Sequence, residues 1–276
     1  MQDLDARVDA FPTRRFATDG SVIAWREAGC GVPVVLLHGI SSGSASWLLQ
    51  LESWLTTFRV VAWDAPGYGA SSPLPSPAPS ARDYSAALRR LLQGCVQGRV
   101  HLVGHSLGAL VAAAYCRMFP HDVRSLTLLN PALGYGDQAE NVRREKLSAR
   151  LEQMRQLGPE GIAAQRAPQL VSARASDLAV DVLVWNARRL SAQGYSQAAH
   201  MLAHGNLLDD LRALRLPLLV ITGSEDRVTP PGSAAMAAQT HPAARVVSLP
   251  GVGHASYLEC PDGVAAAFIP FAMEWA

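Results

Sequence analysis

The sequence predicts an α/β fold: a mostly parallel sheet of about eight strands, flanked by helices and interrupted once by a helical insertion. Three observations carry this expectation. Short, unbroken β-branched and leucine-rich runs recur along the chain, helical periodicities separate most of them, and a stretch of about eighty residues in the second half has no strand pattern. A chain of 276 residues suits one such domain with an insertion better than two independent domains.

The first element reads as an antiparallel edge hairpin, because residues 15–18 and 21–25 flank the turn Asp19-Gly20. Parallel strands follow at 34–37, 60–63, 100–103, 126–129, 218–222 and 245–249. Between them, Trp47, Leu48, Leu51, Trp54 and Leu55 form an apolar helix face behind a Ser44 cap. A second face, Tyr84, Leu88, Leu91, Leu92 and Cys95, follows Ser80, whose partner Asp83 resembles a capping box. The proline-rich residues 73–79 read as a stiff surface loop. In the insertion, Leu147, Leu151 and Met154 make a helix ending at Gly158-Pro159. Leu178, Val182 and Trp185 make the next, and Tyr195, Ala199 and Leu202 a third that stops at Gly205. The expected division is a core of residues 1–133 and 207–276 with 134–206 inserted.

A formal net charge of +1 offers nothing to attract nucleic acid or an anionic membrane, so a small, neutral molecule is the expected partner of a monomer or homodimer. The start Met1-Gln2-Asp3-Leu4-Asp5 carries no leader pattern, and the longest uncharged apolar run, 108–116, falls far short of the roughly 18 residues a membrane helix needs. Cys30, Cys95, Cys116 and Cys260 have no metal-ligand spacing and read as reduced thiols, which suits a cytoplasmic location.

The chemistry concentrates at Gly104-His105-Ser106-Leu107-Gly108, where the run 100–103 gives way to a helical pattern. A sharp strand-to-helix turn pushes a serine side chain out above the sheet, and glycines two positions away let strand and helix approach. An ordinary glycine-rich turn would also hold a serine, so nucleophilicity requires a base and an acid to orient it. His254 follows the last strand and Asp226 the run 218–222; Asn130, at the exit of the strand 126–129, cannot serve as the carboxylate. Glu225 is the lesser alternative acid. His105 is expected to face away, and His38 to shape its loop through hydrogen bonds. The backbone amides of Leu107 and of Ile40, on the loop after residues 34–37, are the expected oxyanion donors.

Taken with Asp64-Ala65-Pro66-Gly67-Tyr68-Gly69-Ala70-Ser71, His38-Gly39, residues 223–230, and Gly253-His254 with Glu259 and Pro261, these motifs resemble the α/β-hydrolase superfamily in the chain order Ser, Asp, His. The resemblance implies an α/β-hydrolase fold, a structural turn at residues 64–71, a helical cap in the insertion, and catalysis by Ser106, Asp226 and His254. Serine rather than aspartate at the turn argues against dehalogenation and epoxide opening. It implies no metal or organic cofactor. The expected reaction is hydrolysis of a small, mostly apolar ester or lactone, with Trp185 and Arg188 as candidate pocket residues. Arg189 is a further candidate beside them. The alternative is a carbon–carbon bond hydrolase of the meta-cleavage product type; His105 and Ala255 stand where those enzymes typically carry asparagine and tryptophan. A slow-turnover ligand sensor is the alternative from another class.

Overall fold

The computed structural model describes residues 2–18 and 20–276; Met1 and Asp19, the first residue of the expected hairpin turn, lie outside them. Eight strands form one sheet in the order β1-β2-β4-β3-β5-β6-β7-β8. They are β1 (Arg14–Thr18), β2 (Ser21–Ala28), β3 (Pro33–Leu37), β4 (Arg59–Asp64), β5 (Val100–His105), β6 (Val123–Leu129), β7 (Leu218–Gly223) and β8 (Ala244–Leu249). The pairs β1–β2 and β2–β4 are antiparallel and every other pair is parallel, as the sequence pattern predicts.

The helices are α1 (Gln2–Asp9), α2 (Leu48–Ser53), α3 (Ala81–Cys95), α4 (Gly108–Met118), α5 (Glu140–Arg166), α6 (Asp177–Ala187), α7 (Ala192–His204), α8 (Leu207–Arg212), α9 (Pro231–Gln239), α10 (Ser256–Glu259) and α11 (Pro261–Met273). Because successive strand residues point to opposite faces, β3 and β4 feed two cores. Val35, Leu37, Val61 and Trp63 pack beneath α3 and α4, whereas Val34, Leu36, Val60 and Ala62 pack with Trp47, Trp54 and Phe268. Trp54 stacks on Phe268 of α11 with ring centroids 4.6 Å apart. Such apolar burial is the main force holding helices to sheet, at about 25 cal/mol per Å².

Local structure departs from the sequence reading in two places. Ser44 does not cap a helix: it opens a 3-10 turn, Ser44–Trp47, and its amide donates to Asp64 Oδ1 at 2.8 Å. The short α1 was not anticipated; Leu4 and Val8, four residues apart, bury one stripe of it against the second core. The Ser80 signal holds, since its amide and hydroxyl both reach the Asp83 carboxylate at 2.7 Å. Between β6 and β7, residues 134–206 contain helices and no strand. The four cysteines are unpaired. Among the described residues, no helix is long and apolar enough to cross a membrane.

Candidate active site

Ser106 sits between β5 and α4 with φ of 51°, in the left-handed region that a residue with a Cβ rarely adopts. Such a residue costs of order 1 kcal/mol or more and persists only where its surroundings impose it. Here they do. The Ser106 amide donates to Leu129 O at 3.0 Å, and its carbonyl accepts from Ala132 N at 3.1 Å, which fixes the turn against the end of β6. The flanking glycines are dictated by space: a Cβ on Gly104 would lie 2.6 Å from Gly108 O, and one on Gly108 would overlap the Leu37 carbonyl oxygen.

The loops after β7 and β8 bring Asp226 and His254 to the same edge. His254 Nδ1 donates to Asp226 Oδ2 at 2.9 Å, and both side chains are buried. Asp226 also accepts from Asn130 Nδ2 on Oδ2 at 2.8 Å and from the amides of Val228 and Thr229 on Oδ1 at 2.8 and 2.9 Å. Burial is the largest single influence and opposes its charge, but the hydrogen bonds and charge attraction from His254, with those from Thr229 and Asn130, outweigh it and hold the carboxyl down at about 2. Asp226 is therefore ionised at neutral pH and sets the tautomer of His254 with the proton on Nδ1. Nε2 is left as the basic nitrogen.

Two residues of this network had no role assigned from sequence. Thr229 shares its hydroxyl hydrogen between Asp226 Oδ2, 2.7 Å away, and Asn130 O at 3.0 Å, and its oxygen stands 3.1 Å from His254 Nδ1. Asn130, itself at a φ of 46°, donates to Asp226 and Gly253 O while accepting from Ser256 Oγ at 2.6 Å, and so joins three loops. Its sequence signal was present, an asparagine ending a strand where left-handed backbone is common, but only its failure as an acid was legible. Glu225 makes no part of this network.

His105 does not face away from the pair. Its ring lies 4.8 Å from that of His254, centroid to centroid, and its Nε2 donates to the His254 carbonyl at 3.0 Å. Burial first, and repulsion from His254 next, hold it down at about 3, so it is a neutral prop for the His254 loop. His38 donates from Nδ1 to Gly39 O and accepts from Ala65 N on Nε2, shaping its loop as expected. Ile40 and Leu107 both border the cavity above Ser106, and neither amide is taken by an acceptor among the described residues.

That cavity measures about 360 Å³ and is bordered by Ser106 and His254 below and by the insertion above. Trp185 and Arg188 do not line it. Leu183 of α6 does, and at about 100° per residue Trp185 and Arg188 point roughly 160° and 140° away from that direction. Trp185 Nε1 instead donates to Asp5 Oδ1 at 2.7 Å, and Arg188 pairs with Glu160 at 2.9 Å. Arg189, the neighbouring candidate, lies on the Trp185 ring and reaches Asp5. Polar and charged side chains also border the cavity: Tyr135, Gln138, Lys146, Arg150 and Arg166 lie beside Val142, Leu170 and Leu202. Among the described residues, no group of three or more His, Cys, Asp or Glu side chains is placed to hold a metal ion.

A mixed eight-stranded sheet whose strand ends gather a serine turn, a histidine and an aspartate defines an α/β hydrolase. The chain belongs to the alpha/beta hydrolase family, whose model matches residues 34–267. Among similar proteins, the 2-(acetamidomethylene)succinate hydrolase of Mesorhizobium japonicum is 27% identical over 265 residues, covering 91% of this chain and 91% of that protein. The dihydrolipoyllysine-residue acetyltransferase component of the acetoin cleaving system of Pseudomonas putida is 28% identical over 257 residues, 91% of this chain and 67% of its own. A thermophilic esterase from Thermogutta terrifontis, solved with malate bound, superposes with a TM-score of 0.84 at 26% identity, covering 95% of this chain and 98% of that one. Family membership supports a hydrolase activity.

Proposed function

We propose that the protein is a serine hydrolase that cleaves a carboxylic ester or lactone of a small substrate through an acyl-enzyme on Ser106. The observation that carries this reading is the meeting of Ser106, at its positive φ, and the Asp226-oriented His254 on one cavity. His254 Nε2 takes the Ser106 hydroxyl proton as Oγ attacks the carbonyl carbon, and the amides of Ile40 and Leu107 hold the resulting oxyanion. Collapse of the intermediate breaks the ester C–O bond, and the proton passes from His254 to the leaving alkoxide. Water then attacks the acyl group, with His254 again as base, and returns free Ser106 and the acid. The insertion serves as a cap that closes the cavity over the substrate and excludes bulk water.

Labelling with a fluorophosphonate probe tests the nucleophile: wild type is expected to label and Ser106→Ala not to, with ester turnover falling by roughly 10⁴-fold or more. Labelling that survives the substitution places the reactive group elsewhere. A panel of p-nitrophenyl esters, lactones and dienoate ketones then separates C–O from C–C cleavage, and dienoate turnover exceeding ester turnover reverses the assignment.

A further inference from the structure

The cavity carries three cationic side chains and no anion. Lys146, Arg150 and Arg166 border it, and no aspartate or glutamate does among the described residues. Lys146 and Arg150 stand on α5 four residues apart, continuing a stripe begun by Val142, so one helix face presents all three to the cavity. Arg166 is sixteen residues beyond Arg150, about 24 Å along a straight helix. It reaches the same cavity because Gly158, at φ 60° and ψ −176°, breaks α5 and the chain folds back, bringing Gln165 into hydrogen bond with Gln153.

These cations are not satisfied by the protein. Arg166 has no hydrogen-bond or ion-pair partner among the described residues, and burial first, then repulsion from Arg150, lowers its pKa. Arg150 makes only a long contact, 3.4 Å, to the Tyr135 hydroxyl, and its buried Nε has no partner. Two neighbouring guanidiniums held partly out of water with no counter-charge are costly unless an anion occupies the site. Other arginines of the chain do carry a carboxylate partner, among them Arg7 with Glu52, Arg59 with Glu27, Arg117 with Asp210 and Arg245 with Glu274.

Resting on the hydrolase reading above, we propose that the substrate carries a free carboxylate, which Arg150 and Arg166 bind under the insertion while Lys146 draws it in from the cavity mouth. A planar guanidinium matches a carboxylate with two parallel hydrogen bonds, and both arginines border the same cavity as Ser106.

The test compares the p-nitrophenyl monoester of glutaric acid with p-nitrophenyl valerate, which has the same acyl length without the carboxylate. After subtraction of uncatalysed hydrolysis, kcat/KM is expected to favour the glutarate ester at least tenfold, and the preference to shrink as salt rises. Arg166→Met and Arg150→Met should each cut that preference severalfold or more, and Arg166→Lys should restore part of it. Equal use of both esters by wild type, or a preference unmoved in both Met variants, overturns the proposal. Calorimetric binding of glutarate to Ser106→Ala reads the anchor without turnover: a tenfold weaker Kd on adding Arg166→Met supports it, and no binding, or equal displacement by inorganic phosphate, overturns it. Fluorophosphonate labelling in the same proteins reports the hydrolase reading separately, so its failure is distinguishable from failure of the anchor.

Discussion

The two walls of the cavity are built on different principles. Below, the loops at the strand ends hold their side chains closely: Ser106 by its turn, Asp226 by two amides and three side chains, His254 by Asp226 and by the bond from His105 to its own carbonyl. Above, the insertion offers long side chains from one folded-back helix, held by few contacts of their own. On the function proposed above, rigid placement suits bond making and adaptable side chains suit selection, which would give the chemistry to the sheet and the choice of substrate to the insertion. One joint between them is Glu259, which accepts from Gly253 N at 3.0 Å and from Ser172 N at 2.8 Å, tying the His254 loop to the segment between α5 and α6.

The sharpest way to break this contrast is one substitution to alanine on each wall. Gly108→Ala places a Cβ against the Leu37 carbonyl oxygen, where no flexible side chain can yield. We expect a loss of about 3 kcal/mol or more, read as a drop in urea midpoint or failure to obtain folded protein. Lys146→Ala, which removes far more atoms but from an exposed side chain at the cavity's edge, should change stability by less than about 0.5 kcal/mol. Comparable losses at both positions would erase the distinction.

Acid should act first on the buried histidines of the sheet and its loops. His101 is held down at about 4 and His105 at about 3, in both cases chiefly by burial, and His38 is lowered for the same reason. In an unfolded chain each would titrate near 6.5. Between about pH 6.5 and 4 the unfolded state therefore binds protons that the folded state refuses, so stability falls as pH falls, by up to about 1.4 kcal/mol per pH unit for each histidine. Asp226 extends the same trend further down, since the stability its ionised form contributes is lost as pH drops from about 4 toward 2. Urea midpoints from pH 7 to 4.5 would show the slope, and His101→Gln, distant from the cavity, should make it shallower by about one proton. An unchanged slope would mean that these histidines do not drive it.

How far the sequence could be read follows the same line. Strand runs, the two glycines around Ser106, and the placement of Asp226 and His254 after successive strands were all legible, because parallel strands force unbroken apolar runs and close backbone approach forces glycine. The upper wall was not. Val142, Lys146 and Arg150 form a helical stripe in the sequence, but a charged stripe ordinarily faces water, and only the fold-back at Gly158 turns it inward to meet Arg166. Trp185 failed for the converse reason: an aromatic on a helix face suggests a pocket, yet the inward face of α6 is the one carrying Leu183. The network roles of Asn130 and Thr229 were not legible because they depend on loops that meet only in three dimensions.

The smallest effect sharpens the contrast from within the lower wall. Asn130→Gly keeps the left-handed backbone available while removing the Nδ2 donor to Asp226 and the acceptor of Ser256. Asp226 retains its two amides and His254, so the pair should survive with looser orientation. A positioning residue that acts through Asp226 affects the step in which His254 gains charge more than it affects substrate binding, so kcat should fall about tenfold with KM within about twofold. Steady-state kinetics on a single ester distinguish the cases. A raised KM at constant kcat would move Asn130 from the machinery of the strand ends to the binding side of the cavity, and the division between the two walls would have to be redrawn there.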